Sequence, residues 1–417
     1  MGIVRTIALV ILTISFIVFV ALFGRLPIFR RTPVHFLHSL LWIYIPAGLG
    51  IIDEKLTGRR LTNSLSSLAN YLFNEAHPVV LVFFVLLQVA GEILFIPSAW
   101  SRFSLVEKLP VPFLVVAPYL FLYLSSTTSS NITDKNHQSA IRAYPYDYCL
   151  FHPGYFCSTC HFAKPARSKH CSLCKACVQR QDHHCIWINN CVGRNNYLWF
   201  NLLIASTAAL IAYGALKGYS ILDARLQAKF VPPALTRGSV TAKRWSTALT
   251  WHQWLQCWGW AIGVEWKIGA VMLLSAMSFP LATAFLVYHL YLVWAGMTTN
   301  ESAKWAEWKE DVEDDLVWRA EIVRLRETYP RLPEDVEPSQ TEGRWPAHLT
   351  ARWWMVRTRD GTQPKHKTPG SQAPDDGDPC DEVDERWERV ESIKEVDNFY
   401  DQGFWVNLVD HLFNRGG

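Results

Sequence analysis

Charge is scarce in this chain. Asp, Glu, Lys and Arg together make up 18% of its 417 residues, whereas an ordinary soluble domain carries about 25%. The formal net charge of +3 and the lack of any dense Lys/Arg tract interleaved with aromatics argue against a nucleic-acid partner. Cysteine is almost missing outside one segment: of ten, seven lie between Cys157 and Cys191, Cys149 stands just upstream, and Cys257 and Cys380 are isolated. That distribution argues against a disulfide scaffold, which spreads cysteines through a small secreted domain. Short Cys-x2-Cys spacing mixed with histidine points instead to zinc in a reducing compartment, so the cluster is expected to face the cytosol. No internal repeat is visible outside it.

What is plentiful is apolar. Half of the residues are hydrophobic and 19 are tryptophan, a composition that fits a membrane protein better than a large soluble enzyme. Crossing a hydrocarbon core of about 30 Å takes roughly 20 apolar residues. Four runs meet that requirement, 6–24, 79–98, 198–216 and 268–296, and a fifth, 109–125, is shorter and interrupted by proline. Segment 36–52 could span, but a proline and glycines near its end favour a helix lying at the membrane interface. The first run exceeds the apolar core of a signal peptide and has no small-x-small site after it, so it is expected to stay as a span. Arg25, Arg30, Arg31, Arg59 and Arg60 follow it, and basic loops tend to remain cytosolic. The N-terminus is then lumenal, 126–197 returns to the cytosol, and the last two spans enclose a lumenal loop.

The expected fold is an all-α polytopic membrane protein with about five transmembrane helices and a small cytosolic zinc-binding cysteine-rich domain of short hairpins. Its parts are a three-span region over 1–125, the cysteine-rich domain over 126–197, two spans with a lumenal loop over 198–296, and a cytosolic tail over 297–417. Within the tail, Trp305, Trp308, Val312, Leu316 and Val323 recur at helical spacing and predict an amphipathic helix over 301–328, ending before Pro330. Residues 360–385, rich in proline, glycine and acid, read as a disordered linker. Glu92, inside the second of these long runs, should turn toward other helices rather than lipid. The sequon Asn131-Ile-Thr133 falls on the cytosolic side and should go unused.

From Cys157 the pattern is Cys-x2-Cys-x9-His-Cys-x2-Cys-x2-Cys-x4-Asp-His-His-Cys-x5-Cys. Tetrahedral zinc takes four ligands, and each Cys-x2-Cys knuckle places two thiolates on one turn. Seven cysteines plus His161, His170, His183 and His184 give more donors than two closed sites consume. If each site uses three cysteines and one histidine, one cysteine and two histidines remain. A cysteine left out of the metal, with a histidine two positions before it and an aspartate beside that histidine, looks like an activated nucleophile. Spacing alone leaves open which cysteine that is, and His161 reads as a surface residue.

Residues 157–200, "CSTCHFAKPARSKHCSLCKACVQRQDHHCIWINNCVGRNNYLWF", resemble the cysteine-rich domain of the DHHC family of protein S-acyltransferases, the palmitoyltransferases. Thr298 to Glu301, "TTNE", resembles the family's Thr-Thr-x-Glu motif, and "NFYDQGFWVN", Asn398 to Asn407, resembles its aromatic tail motif. Thr298 and Glu301 also match a helix capping box, and Tyr400 and Asn407 read as residues that dock the tail. Ala166 and Ile186 stand where the family often has proline, and "HPG" at 152–154 is only a faint echo of an Asp-Pro-Gly motif. "DHHCIWINNCVG" is similar to the fungal branch that acylates SNAREs and other single-span proteins near the cytosolic end of their membrane helices.

The resemblance implies two structural zinc ions, one held by Cys157, Cys160, His170 and Cys177, the other by Cys171, Cys174, His184 and Cys191. It implies Cys185 as the residue acylated by palmitoyl-CoA, with His183 and Asp182 beside it, and transfer of the chain to cysteines of membrane proteins. A free thiol has a pKa of about 8.5, so a paired histidine raises its reactive fraction. The acyl chain is expected to lie between transmembrane helices. The fungal branch implies the endoplasmic reticulum membrane, with the Golgi as the alternative. The rival reading, an inactive membrane-anchored zinc scaffold, gives no physical reason to keep Asp182, His183 and Cys185 together.

Overall fold

The computed structural model describes residues 31–75, 77–230, 245–246, 249–326, 328–333, 335, 350–365 and 383–413, with a few positions between 13 and 29. Among them, five helices are long and apolar enough to cross a membrane: Pro33–Thr57 (α1), Val79–Arg102 (α2), Leu105–Thr127 (α3), Tyr197–Phe230 (α4) and Trp266–Trp294 (α5). The expected span at 6–24 lies almost wholly outside the described residues.

Three of these helices need comment. Segment 36–52 lies within α1, which is long and apolar enough to cross a membrane and continues through its proline. A π-turn over Leu40–Tyr44 precedes Pro46, and the following helix opens with that proline at its first turn, where a missing N–H costs no hydrogen bond. Pro118 likewise sits inside α3 without breaking it. The span expected at 198–216 is too short: α4 runs on to Phe230, and a further helix, Trp251–Val264 (α6 by order of description), occupies part of the expected lumenal loop.

By contact the chain divides into two units, Met1–Pro112 with Ala209–Phe279, and Phe113–Ala208 with Pro280–Gly417. In the first, Gly218 lies so close to Met272 that a Cβ would approach Met272 Cβ to 2.7 Å, while one on Gly214 would meet Ser275 Oγ at 3.5 Å. Two small residues four apart thus let neighbouring helices approach closely, the usual solution where lipid supplies no hydrophobic drive. Arg102 pairs with Glu265 at 2.7 Å. Glu92 accepts from Gln88 Nε2 at 3.3 Å, a partner on its own helix.

The second unit carries the cysteine-rich hairpins and the tail. The hairpins are Lys169–Cys171 (β1) with Ala176–Val178 (β2), and His183–Cys185 (β3) with Asn190–Val192 (β4), both antiparallel. The tail departs from an all-α expectation. Its helix, Thr299–Glu313 (α7), stops well short of 328, and Val317–Glu321 (β5) becomes the centre of a three-stranded sheet between Trp353–Arg357 (β6) and Glu388–Arg389 (β7). Asp315 takes a left-handed φ of 61° at the break. Val323, an inward position on the expected helical stripe, is 83% exposed. The helical stripe fails there because the strand's partners lie more than thirty residues away, beyond what local periodicity reports. Most of the expected linker, 366–382, lies outside the described residues, but Lys365 and Val383 form a bridge across it.

One core joins these pieces. Tyr144, Tyr146, Phe151, Trp308, Val317, Met355 and Tyr400 are buried together. Beside them Arg167, with no exposed surface, makes a bidentate pair with Glu301 at 2.7 and 2.6 Å and also donates to Gly296 O at 3.1 Å. Its guanidinium stacks 4.5 Å from the Tyr400 ring. Glu301→Gln keeps the cap and the volume but leaves Arg167 short of a countercharge. It should cost about 3 kcal/mol, read as a fall in melting temperature of the detergent-solubilised protein, and Arg167→Met in the same background should restore part of it.

Candidate active site and metal clusters

Residues adjacent in a strand point to opposite faces, and this alternation sorts the crowded ligands. In the first hairpin His170 stands opposite Cys177, while its neighbour Cys171 points the other way. In the second, His184 stands opposite Cys191, while His183 and Cys185 share the other face. Two separate groups result: Cys157, Cys160, His170 and Cys177, and Cys171, Cys174, His184 and Cys191, each with its ligand atoms within 4.8 Å of one another. His161 is exposed at a left-handed turn and belongs to neither.

The donor geometry suits a tetrahedral ion. Cys157, Cys160 and Cys177 place their sulfurs 3.4, 3.4 and 3.8 Å from His170 Nδ1. In the second group the sulfurs of Cys171, Cys174 and Cys191 lie 3.7, 3.4 and 3.7 Å from His184 Nδ1, and Cys174 and Cys191 are 3.6 Å apart. A zinc with bonds of about 2.3 Å to sulfur and about 2.05 Å to nitrogen needs edges of about 3.6 and 3.8 Å. The sulfurs are also too far apart for disulfides. In each knuckle a backbone N–H, of Cys160 or Cys174, donates to the first sulfur at 3.4 Å.

Asparagines of "NNCVGRNN" fix the second hairpin to the end of α3. Asn190, the partner of Cys185 across the hairpin, donates through Nδ2 to the carbonyls of Ser125, Ser126 and Thr128 at 3.2, 3.2 and 3.0 Å. Asn196 donates to Ser125 O at 3.0 Å and Cys191 O at 2.9 Å. The carbonyls that a helix leaves unpaired at its C-terminus are thereby satisfied, and Cys185 is held at the membrane-helix boundary.

On the other face of β3, Asp182 Oδ2 meets His183 Nδ1 at 2.6 Å. Its second oxygen accepts the Thr299 N–H at 2.8 Å, at the start of α7. Cys185 lies on the same face of β3 as His183. Burial works against charge on His183, but the bonds to Asp182 and Cys185 and their charges outweigh it and push the imidazole up to about 10. Burial would raise Asp182, yet His183 and the Thr299 N–H hold it below the ordinary carboxylate value. The capping box expected at Thr298 and Glu301 is present, and Thr298 Oγ1 also donates to Gln181 O at 3.2 Å. Capping and support of the site are thus one arrangement.

Tyr400 and Asn407 dock the tail as expected. Tyr400 donates to Pro145 O at 2.9 Å, and Asn407 Nδ2 reaches Trp294 O, at the end of α5, at 3.0 Å. Gly296 sits here with φ 64°, where a Cβ would come within 2.7 Å of Asp401 Cα. Sequence reasoning missed Arg180, which donates to Asp410 O at 2.7 Å and His411 O at 2.8 Å, on helix Phe404–Phe413 (α8). It also missed His289 of α5, whose ring centroid is 5.9 Å from that of His183. A titratable residue inside an apolar run was the available signal.

An aspartate hydrogen-bonded to a histidine, a cysteine on the same strand face, and two Cys3His clusters that could hold metal ions, all beside helices long enough to cross a membrane, make a site of the membrane thiol-enzyme class. The family model for DHHC palmitoyltransferase matches residues 150–306. The chain is 45% identical to palmitoyltransferase swf1 of Emericella nidulans over 100% of its own length and 98% of that protein's. It is 45% identical to palmitoyltransferase SWF1 of Neurospora crassa, covering 98% of this chain and 92% of the relative. With palmitoyltransferase swf1 of Schizosaccharomyces pombe the identity is 35%, over 73% and 81%. The chain belongs to the DHHC palmitoyltransferase family and is a protein S-palmitoyltransferase, with membrane proteins as its substrates.

Thr299 is the first residue of α7, a position that tolerates proline. Thr299→Pro therefore removes the N–H that Asp182 accepts without breaking the helix. A hydrogen bond to a charged group contributes about 1.5–3 kcal/mol, so palmitoyl transfer should fall roughly tenfold or more while the melting temperature changes little. An unchanged rate would show that Asp182 does not need this donor.

Proposed function

We propose that Cys185 is the acylated nucleophile of this palmitoyltransferase, that His183 is its base and that Asp182 orients and balances the imidazole. The reading rests on one observation above the others: Asp182 is hydrogen-bonded to His183, which shares a face of β3 with Cys185, while Cys185 belongs to neither metal group. The co-substrate is a fatty acyl-CoA, palmitoyl-CoA. His183 accepts the Cys185 proton, and the sulfur attacks the thioester carbonyl carbon. The carbon–sulfur bond to coenzyme A breaks, the coenzyme A sulfur takes a proton, and the acyl group stays on Cys185. A substrate thiol then gives its proton to His183, attacks the new thioester and releases Cys185. One thioester replaces another in each half, so little driving force is required.

The two Cys3His groups hold zinc. When bound, zinc supplies rigidity rather than a reacting ligand, because all four positions of each tetrahedron are taken by protein. His184 and Cys191 flank Cys185 and fix the strand that carries it.

The cysteine-rich domain and the tail face the cytosol, where reduced thiols persist. Because Asn190 ties the hairpin to the end of α3, Cys185 reaches thiols just outside the bilayer. Single-span proteins with juxtamembrane cysteines, SNAREs among them, fit that reach. The acyl chain lies among the spans, where water is excluded. The compartment is the endoplasmic reticulum, with the Golgi as alternative. An inactive scaffold has no observation in its favour.

Incubation with labelled palmitoyl-CoA should leave hydroxylamine-sensitive label on wild type and none on Cys185→Ser; equal label on both would end the nucleophile assignment. Purified protein should contain about two zinc ions per chain, and Cys177→Ala should lower that count while Cys185→Ser leaves it unchanged.

A further inference from the structure

His289 lies beside His183, with ring centroids 5.9 Å apart, and has no role in the acyl-transfer scheme. It is fully buried in α5, and Tyr197 Oη lies 3.0 Å from its Nδ1. Its other nitrogen, Nε2, has no hydrogen-bond partner among the described residues. A buried polar atom left in that state calls for a ligand or some other compensation. Rings of Phe200, Phe285 and Tyr288 pack around it, and none of them hydrogen-bonds Nε2.

One ligand atom each of Asp182, His183 and His289 lies within 4.8 Å of the others. Two imidazoles and a carboxylate are a donor set for zinc and its first-row neighbours. The setting of His289 also matches that of a metal-binding histidine. If Nδ1 donates its N–H to Tyr197 Oη, Nε2 is left with a lone pair, the pattern by which an outer partner fixes the tautomer of a metal-binding imidazole.

We propose that Asp182, His183 and His289 form a third, inhibitory zinc site within the reaction centre, distinct from the two Cys3His groups. Unlike those groups, it is not shaped for a resident ion. Asp182 Oδ2 and His183 Nδ1 are 2.6 Å apart, a hydrogen-bond distance, whereas two ligands of one tetrahedral zinc lie about 3.3 Å apart. The ion therefore takes the place of the proton shared by the two side chains, which must separate to admit it. His183 is part-exposed and has room to swing. Zinc binding and proton transfer are then mutually exclusive: while the ion is bound, His183 is no longer a base for Cys185. The enzyme is inhibited by free zinc above the level that fills its structural sites, and chelation restores it. This inference rests on the assignment of His183 and Cys185 as the reacting pair, so binding and activity are measured separately.

The test uses full-length protein in detergent, purified with its structural zinc. Equilibrium dialysis against buffered free Zn2+ counts the ions bound, and autoacylation by palmitoyl-CoA is followed over the same zinc range. Wild type should take up a third equivalent, and its acylation rate should fall along the same curve and recover on mild chelation. His289→Phe should keep the first two equivalents and lose the third, and the ratio of its rates with and without zinc should stay near one. Tyr197→Phe, which removes the partner of the imidazole, should weaken the third equivalent roughly tenfold. Cys185→Ser, inactive on the acyl-transfer reading, should still bind the third equivalent through Asp182, His183 and His289. If Cys185→Ser proves active, the acyl-transfer assignment fails while the binding result still decides the site. A wild type that stops at two equivalents, a third equivalent that survives in His289→Phe, or a third equivalent that leaves acylation unchanged would each overturn the proposal.

Discussion

The pair between Arg167 and Glu301 is the constraint on which the second unit turns. A guanidinium with no exposed surface is stable only if its donors are met, and here Glu301, Gly296 O and Asp410 meet them. Those partners lie on the first turn of α7, on the segment leaving α5 and on α8, so one side chain of the cysteine-rich domain fastens three parts of the chain that come more than a hundred residues later. Glu301 is also the capping residue of α7. The same helix start presents the Thr299 N–H to Asp182. A buried ion pair is a poor source of net stability but a strict condition on geometry. In this protein that geometry is the orientation of the Asp182 carboxylate.

The second constraint is the two-residue repeat of a strand. Within the signature His183-His184-Cys185, alternation sends His184 to a metal group and keeps His183 with Cys185. Because His170 and Cys171 are also adjacent in a strand, the two metal groups interleave along the chain while remaining separate in space. An ion in each group would clamp a hairpin at both ends, and Asn190 holds the second hairpin against α3. The strand that carries Cys185 is thus held from the side of the metal clusters and from the side of α3.

Much of this was legible beforehand. Seven cysteines and four histidines in a fixed rhythm exceed the demand of two tetrahedra, and the surplus announces a reactive thiol before any fold is known. The runs at 79–98 and 268–296 correspond closely to α2 and α5, because exclusion of charge over about 20 residues is a local property. The tail was harder. Val317 to Glu321 has the spacing of a continuing amphipathic helix, and only pairing with Trp353–Arg357 makes it a strand. The π-turn over Leu40–Tyr44 that precedes Pro46 was also illegible, since such a turn leaves no mark on hydropathy.

The sequence by itself determined the crowding of cysteines and histidines into one segment, the surplus of donors over two tetrahedral sites, and the apolar runs. Each of these is written within a few residues, where spacing, alternation and hydropathy act. Only the tertiary structure decided that Arg167 meets Glu301, that a backbone N–H of α7 holds Asp182, and that His289 of a distant span faces His183. Those contacts join positions about a hundred residues apart, and no local period constrains them. They exist because buried charge and buried imidazole must find partners once the helices and hairpins have packed.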